Sequence, residues 1–243
     1  MNPLETEQER TCAQHRAELN GSIYTILFLV VATYGFDRAL AAYLDRLVHA
    51  RQISRWNFLV QHVESWMAVV FLAELIVVMC CYRLGPLQMT LREMGLTFSA
   101  PRLKELLWGF LAGLLAYTAS LPILLRLDRH SGLADLIISN FYQPEVVLVL
   151  VLFAILLPIS SEIVYRGIIL KAFLESSSVV PAVLLSASVF ALVWPVYNSI
   201  IGLVLGFTTA LLYHRFRNVL PAIVADTVLT IACAATLVYR RLY

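Results

Sequence analysis

Residues Leu106 to Leu125 read LLWGFLAGLLAYTASLPILL, an unbroken run without a charged side chain. At a rise of about 1.5 Å per residue, some 20 such residues cover the ~30 Å hydrocarbon core of a bilayer. Further apolar blocks lie at Ser22 to Val31, Met67 to Cys81 and Val146 to Ile159. Of the 243 residues, 60% are apolar and 14% charged, and the mean hydropathy is +0.79. Soluble domains sit near about 45–50% apolar and about 25% charged, so a single water-soluble globule is excluded. The chain reads as an all-α, polytopic transmembrane helical bundle.

The apolar stretches divide into about seven spans, near 22–45, 60–83, 104–125, 145–174, 179–195, 198–213 and 219–239. The fourth carries Pro158 at its middle, which predicts a kinked helix, or two shorter helices meeting there and eight spans in all. Between the second and third spans, Leu84 to Arg102 is interrupted by Gly85-Pro86, Gly95 and Ser99-Ala100-Pro101. That pattern predicts a re-entrant or interface-lying segment. The resulting organisation is a polar tail at 1–21, N-terminal membrane helices with the interfacial segment at 22–140, and a motif-bearing membrane core at 141–243. The tail mixes Glu5, Glu7, Glu9, Arg10, Arg16 and Glu18, unlike the basic start of a secretory signal.

Composition also narrows the partners. The net charge is +2 and the basic residues are spread along the chain, so no block tracks a phosphate backbone and nucleic acid is not expected. The bilayer is the first partner. Cys12, Cys80, Cys81 and Cys233 have no metal-ligand spacing and read as small hydrophobes. With His15, His49, His62, His130 and His214 all away from the polar core positions, neither a metal nor another cofactor is expected. The preference for Arg over Lys fits GC-rich coding and a bacterial inner membrane. Lys and Arg counts on the two sides nearly balance, with a slight lean toward a cytoplasmic N-terminus.

Ionisable groups inside spans carry the most information, because each costs about 2.5–3.5 kcal/mol at the bilayer centre unless paired or facing a wet cavity. Asp37 and Arg38 lie near a span end and can snorkel, Glu64 is interfacial, and Glu74 needs a partner in the bundle. Glu162 and Arg166 are four apart with the acid first, which predicts an intrahelical ion pair. Ser161 and Tyr165 add hydroxyls around it. Asp226 and Thr230 share a face of the last span, with Cys233 close to it, and Asn198 supplies an amide. A polar pocket within the bundle follows where these faces meet.

The order of these features resembles the CPBP intramembrane proteases, the family of type II CAAX prenyl endopeptidases and bacteriocin-processing or immunity proteins. The run Pro158-Ile159-Ser160-Ser161-Glu162-Ile163-Val164-Tyr165-Arg166-Gly167 is similar to the family's E-E-x-x-x-R-G element. Phe190 to Trp194 falls where the family has F-x-x-x-H. Gly202 to Gly206 resembles its glycine-bearing helix, and Asp226 to Thr230 its final H-x-x-x-N. Leu91 to Leu96 is similar to the short segment preceding the family's core. The resemblance covers about residues 141–240.

What the resemblance implies depends on the letters at those positions. In the family, the first Glu and the second-motif His activate water, and the last His and Asn stabilise the oxyanion. Carried over, these become Ser161, Trp194, Asp226 and Thr230, while Glu162 and Arg166 keep their identity. A serine hydroxyl is no general base without one beside it, and an indole has no titratable nitrogen. An ionised carboxylate where an oxyanion develops is repulsive, and losing a donor there costs about 2.7–4 kcal/mol.

The leading expectation is therefore a peptidase-inactive homologue that binds a membrane-embedded or lipidated peptide, or a partner protein, in an immunity, regulatory or processing-accessory role. An alternative is an active endopeptidase in which Glu162 and Asp226 share one proton and divide acid and base roles. A second alternative is an ion or solute transporter, since intramembrane charges also mark ion paths. Gly202 and Gly206 form a small-residue face, expected to pack within the bundle.

Overall fold

The computed structural model describes residues 46, 92, 95, 96, 103–126, 154–193 and 199–242. The expected first two spans, with Asp37, Arg38, Glu64 and Glu74, lie outside the described residues, as do Trp194 and Asn198. Every element of regular structure among the described residues is helical. Helix α1 is Leu103–Leu124. Helix α2 runs over 154–176, with a π-helical stretch at Ile163–Leu170 and a closing α-helical turn and a half at Lys171–Ser176. Helices α3, α4 and α5 are Val179–Val193, Ser199–Phe216 and Leu220–Leu242. Among the described residues, three helices are long and apolar enough to cross a membrane, namely Leu103–Leu124, Ser199–Phe216 and Leu220–Arg240, and Val179–Leu192 is a shorter apolar helix.

Pro158 does not divide the fourth span. Helix α2 continues through it, and the departure from α geometry begins five residues later, at Ile163. A π stretch shifts hydrogen bonding from i→i+4 to i→i+5 and widens the turn, and such stretches gather at functional sites. Every residue of this one is buried.

Helices α1 and α5 lie side by side and run in the same direction. Gly109 and Gly113 make the approach possible: a Cβ on Gly109 would lie 2.5 Å from the Pro221 carbonyl oxygen, and one on Gly113 would lie 2.7 Å from that of Ala225. Ala116 and Ser120 continue the buried face of α1. Further along, the Tyr117 and Thr236 hydroxyls are 2.7 Å apart, and Arg240 Nη1 donates to the Leu124 carbonyl at 3.0 Å. The other side of α1 exposes Leu103, Leu107, Trp108, Leu111 and Leu115. A helix with large apolar side chains outward and small residues inward is built for lipid on one side and close helix packing on the other.

Helix α4 packs on α3 through Gly206, whose Cβ would lie 3.1 Å from the Ala187 Cα and carbonyl oxygen. The glycine face thus packs inside the bundle, as expected. Tyr165, Ile169, Phe190, Ile201, Leu205, Leu229 and Cys233 form one apolar core. Leu170, Ala182, Val183, Tyr213, Val219 and Ile223 form a second toward the α4–α5 turn. That turn is tight. Arg217 caps α4 at φ 52°, with its N–H donating to the Tyr213 carbonyl at 2.7 Å. This left-handed cap position usually holds glycine, and a side chain there costs about 1–2 kcal/mol.

Candidate functional site

The polar residues singled out in the sequence converge at one level of the bundle, between α2, α3, α4 and α5. Glu162 and Arg166 form the expected i,i+4 ion pair, Oε2 to Nε at 3.2 Å, with both side chains fully buried. The pair is only part of what holds the guanidinium. Arg166 Nε donates to Thr209 Oγ1 at 2.8 Å and Nη2 donates to the same oxygen, while Nη1 donates to Ser186 Oγ at 3.2 Å. Its Cζ lies 4.9 Å from the centroid of the Phe190 ring, close enough for a cation–π contact.

The two hydroxyls that accept from Arg166 are themselves anchored. Thr209 donates to the Leu205 carbonyl at 3.0 Å, one turn back along α4. Ser186 donates to the Tyr165 carbonyl at 3.2 Å, tying α3 to the π-helical stretch. The guanidinium therefore stitches α2 to α3 and α4 with no water-exposed atom, since Arg166, Thr209 and Ser186 are each 0% exposed. Tyr165 packs edge-on against Phe190, with ring centroids 5.0 Å apart at 87°.

Asp226 sits on the α5 side of this centre and is also fully buried. Thr230 Oγ1 donates to its Oδ1 at 3.1 Å, and Ser161 Oγ lies 3.4 Å from its Oδ2. The Ser161 hydroxyl is 3.3 Å from the Pro158 carbonyl as well, so its single proton is shared between two acceptors. Glu162 and Asp226 are close enough to act on each other electrostatically, and Arg166 acts on both. Neither carboxylate oxygen of Glu162 receives an aligned hydrogen bond, although the Thr209 hydroxyl is nearby.

Of the residues expected at the site, Ser161, Glu162, Tyr165, Arg166, Phe190, Asp226 and Thr230 are brought together. Thr209 and Ser186 join them. Neither was singled out in the sequence: Thr209 follows the glycine-bearing stretch Gly202 to Gly206, and Ser186 carries no motif. The available signal was stoichiometric: a buried guanidinium has five N–H donors, and one carboxylate four residues away cannot satisfy them all. The rest must find acceptors on neighbouring helices. Among the described residues no three of His, Cys, Asp and Glu are grouped so as to hold a metal ion.

No curated protein and no solved structure matches the chain. Residues 143–232 match the family model described as type II CAAX prenyl endopeptidase Rce1-like. The helices that bring Ser161, Glu162, Arg166, Phe190 and Asp226 together thus lie in the stretch of the chain that is similar to the Rce1-like CAAX endopeptidases.

Proposed function

We propose that this protein keeps the helical core of the CAAX proteases without their peptide hydrolysis, and uses it in a bacterial inner membrane to bind a membrane-embedded or lipidated peptide, or a partner protein. One observation carries this reading: Arg166 and Asp226 are held by neighbouring side chains of the bundle. Among the described residues, Arg166 is held by Glu162, Thr209 and Ser186, and Asp226 by Thr230 and Ser161, so the polar groups of the centre are engaged with one another. Peptide hydrolysis needs a base in reach of a water and donors aimed at a developing oxyanion. The one imidazole among the described residues is His214, at the α4–α5 turn and outside this centre. The four positions that resemble the family's catalytic set carry Ser161, Trp194, Asp226 and Thr230, none of which supplies that chemistry in the usual way.

A second reading has one feature in its favour. Glu162 Oε1 has no hydrogen-bond donor, and Asp226 is its electrostatic neighbour, so the two carboxyl groups are candidates for an acid–base pair. The purified protein in lipid nanodiscs, given a fluorogenic prenylated peptide, separates the two. The binding reading predicts saturable association with no turnover above that of Glu162→Gln/Asp226→Asn. Turnover that the double substitution abolishes would establish the second reading instead.

A further inference from the structure

The end of the bundle where α4 turns into α5 gathers cations from three segments far apart in the sequence. Val219 N–H donates to the Gly95 carbonyl at 3.2 Å, and Asn218 Nδ2 donates to Glu105 Oε2 at 3.1 Å. A Cβ on Gly95 would lie 2.8 Å from the Tyr213 ring, so only glycine lets this segment sit so close. These contacts hold Arg92 and Lys104 at the same end of the molecule as Arg215 and Arg217, and all four are exposed.

Positive charge is in excess there among the described residues. None of the four cations has a hydrogen-bond or ion-pair partner among the described residues. Of the two carboxylates described at this end, Glu175 pairs with Lys171 at 3.9 Å, while Glu105 accepts from the neutral Asn218 amide and keeps its charge, one against four. His214 Nδ1 is buried nearby without a hydrogen-bond partner. Arg217 occupies a left-handed cap that glycine would fill without strain, and such an outlier points to a requirement for the side chain itself. The opposite end differs, because Arg240 there donates to the Leu124 carbonyl and serves the helix packing.

The height of the cluster identifies its ligand. It lies at the turn between α4 and α5, and its Lys104 is one turn from Trp108, which is half exposed on the outer side of α1. Aromatic rings at that position mark the boundary between hydrocarbon and headgroups, and basic side chains at that level attract anionic lipid. We infer that Arg92, Lys104, Arg215 and Arg217 form a binding site for the phosphate group of an anionic glycerophospholipid at the membrane interface.

The test uses the full chain in nanodiscs, with lipid association read by native mass spectrometry against phosphatidylglycerol and phosphatidylcholine. The wild type is expected to retain phosphatidylglycerol at least about fivefold over phosphatidylcholine. Arg215→Gln/Arg217→Gly is expected to abolish that preference without lowering the melting temperature, because glycine relieves the strained cap. Arg126→Gln, at the opposite end, is expected to keep the preference. No preference in the wild type, or one that survives the double substitution, would overturn the site. Equal displacement of phosphatidylglycerol by millimolar inorganic phosphate would overturn the lipid as its ligand.

Discussion

Arg166 is the residue on which the core turns, because its charge is taken out of water and shared among three helices. Removing one partner of a buried pair costs about 3–5 kcal/mol, since the other charge is stranded. Arg166→Met is therefore expected to lower stability by that amount, read as thermal unfolding in detergent, and adding Glu162→Leu should restore part of the loss by removing the stranded carboxylate. Full retention of stability by Arg166→Met alone would contradict the ion-pair account. Thr209→Val tests the interhelical half of the network. It leaves two N–H groups of Arg166 without their acceptor, an expected loss of about 1–3 kcal/mol, and Thr209→Ser should recover most of it. The Glu162/Arg166 pair was legible from spacing alone. Its partners on α3 and α4 were not, because spacing within one helix says nothing of which faces of other helices it meets.

At the scale of elements, the contact between α1 and α5 depends on two hydrogen atoms where side chains would be. Gly113→Ala places a methyl group 2.7 Å from a backbone carbonyl oxygen, and backbone cannot step aside as a flexible side chain would. A loss of about 1–3 kcal/mol is expected from overpacking. Leu115→Ala, on the exposed side of the same helix, should leave the melting temperature nearly unchanged. Hydropathy placed these elements closely: the expected spans at 104–125, 179–195, 198–213 and 219–239 correspond to Leu103–Leu124, Val179–Val193, Ser199–Phe216 and Leu220–Leu242. The π-helical stretch was not legible. An apolar run reports burial, not the register of its backbone hydrogen bonds, and the proline that drew attention to α2 lies before the irregular part.

At the scale of the whole molecule, the described helices form a bundle with apolar outer faces, a buried polar centre inside it and an exposed basic cluster at the α4–α5 end. Residues 143–232 are similar to the Rce1-like CAAX endopeptidases, a resemblance that the order and spacing of the motifs anticipated. The parallel course of α1 and α5 follows from the contacts along them, from Gly109 with Pro221 to Leu124 with Arg240. Function was less legible: the proposed loss of hydrolysis rests on the chemistry of the residues at the catalytic-like positions, whereas a binding partner would leave no such signature. The most direct measurement is a membrane-proteome comparison of new peptide termini in cells expressing the wild type, Glu162→Gln/Asp226→Asn, or neither. Identical profiles in all three are predicted; termini that appear with the wild type alone would contradict the account and identify an active protease.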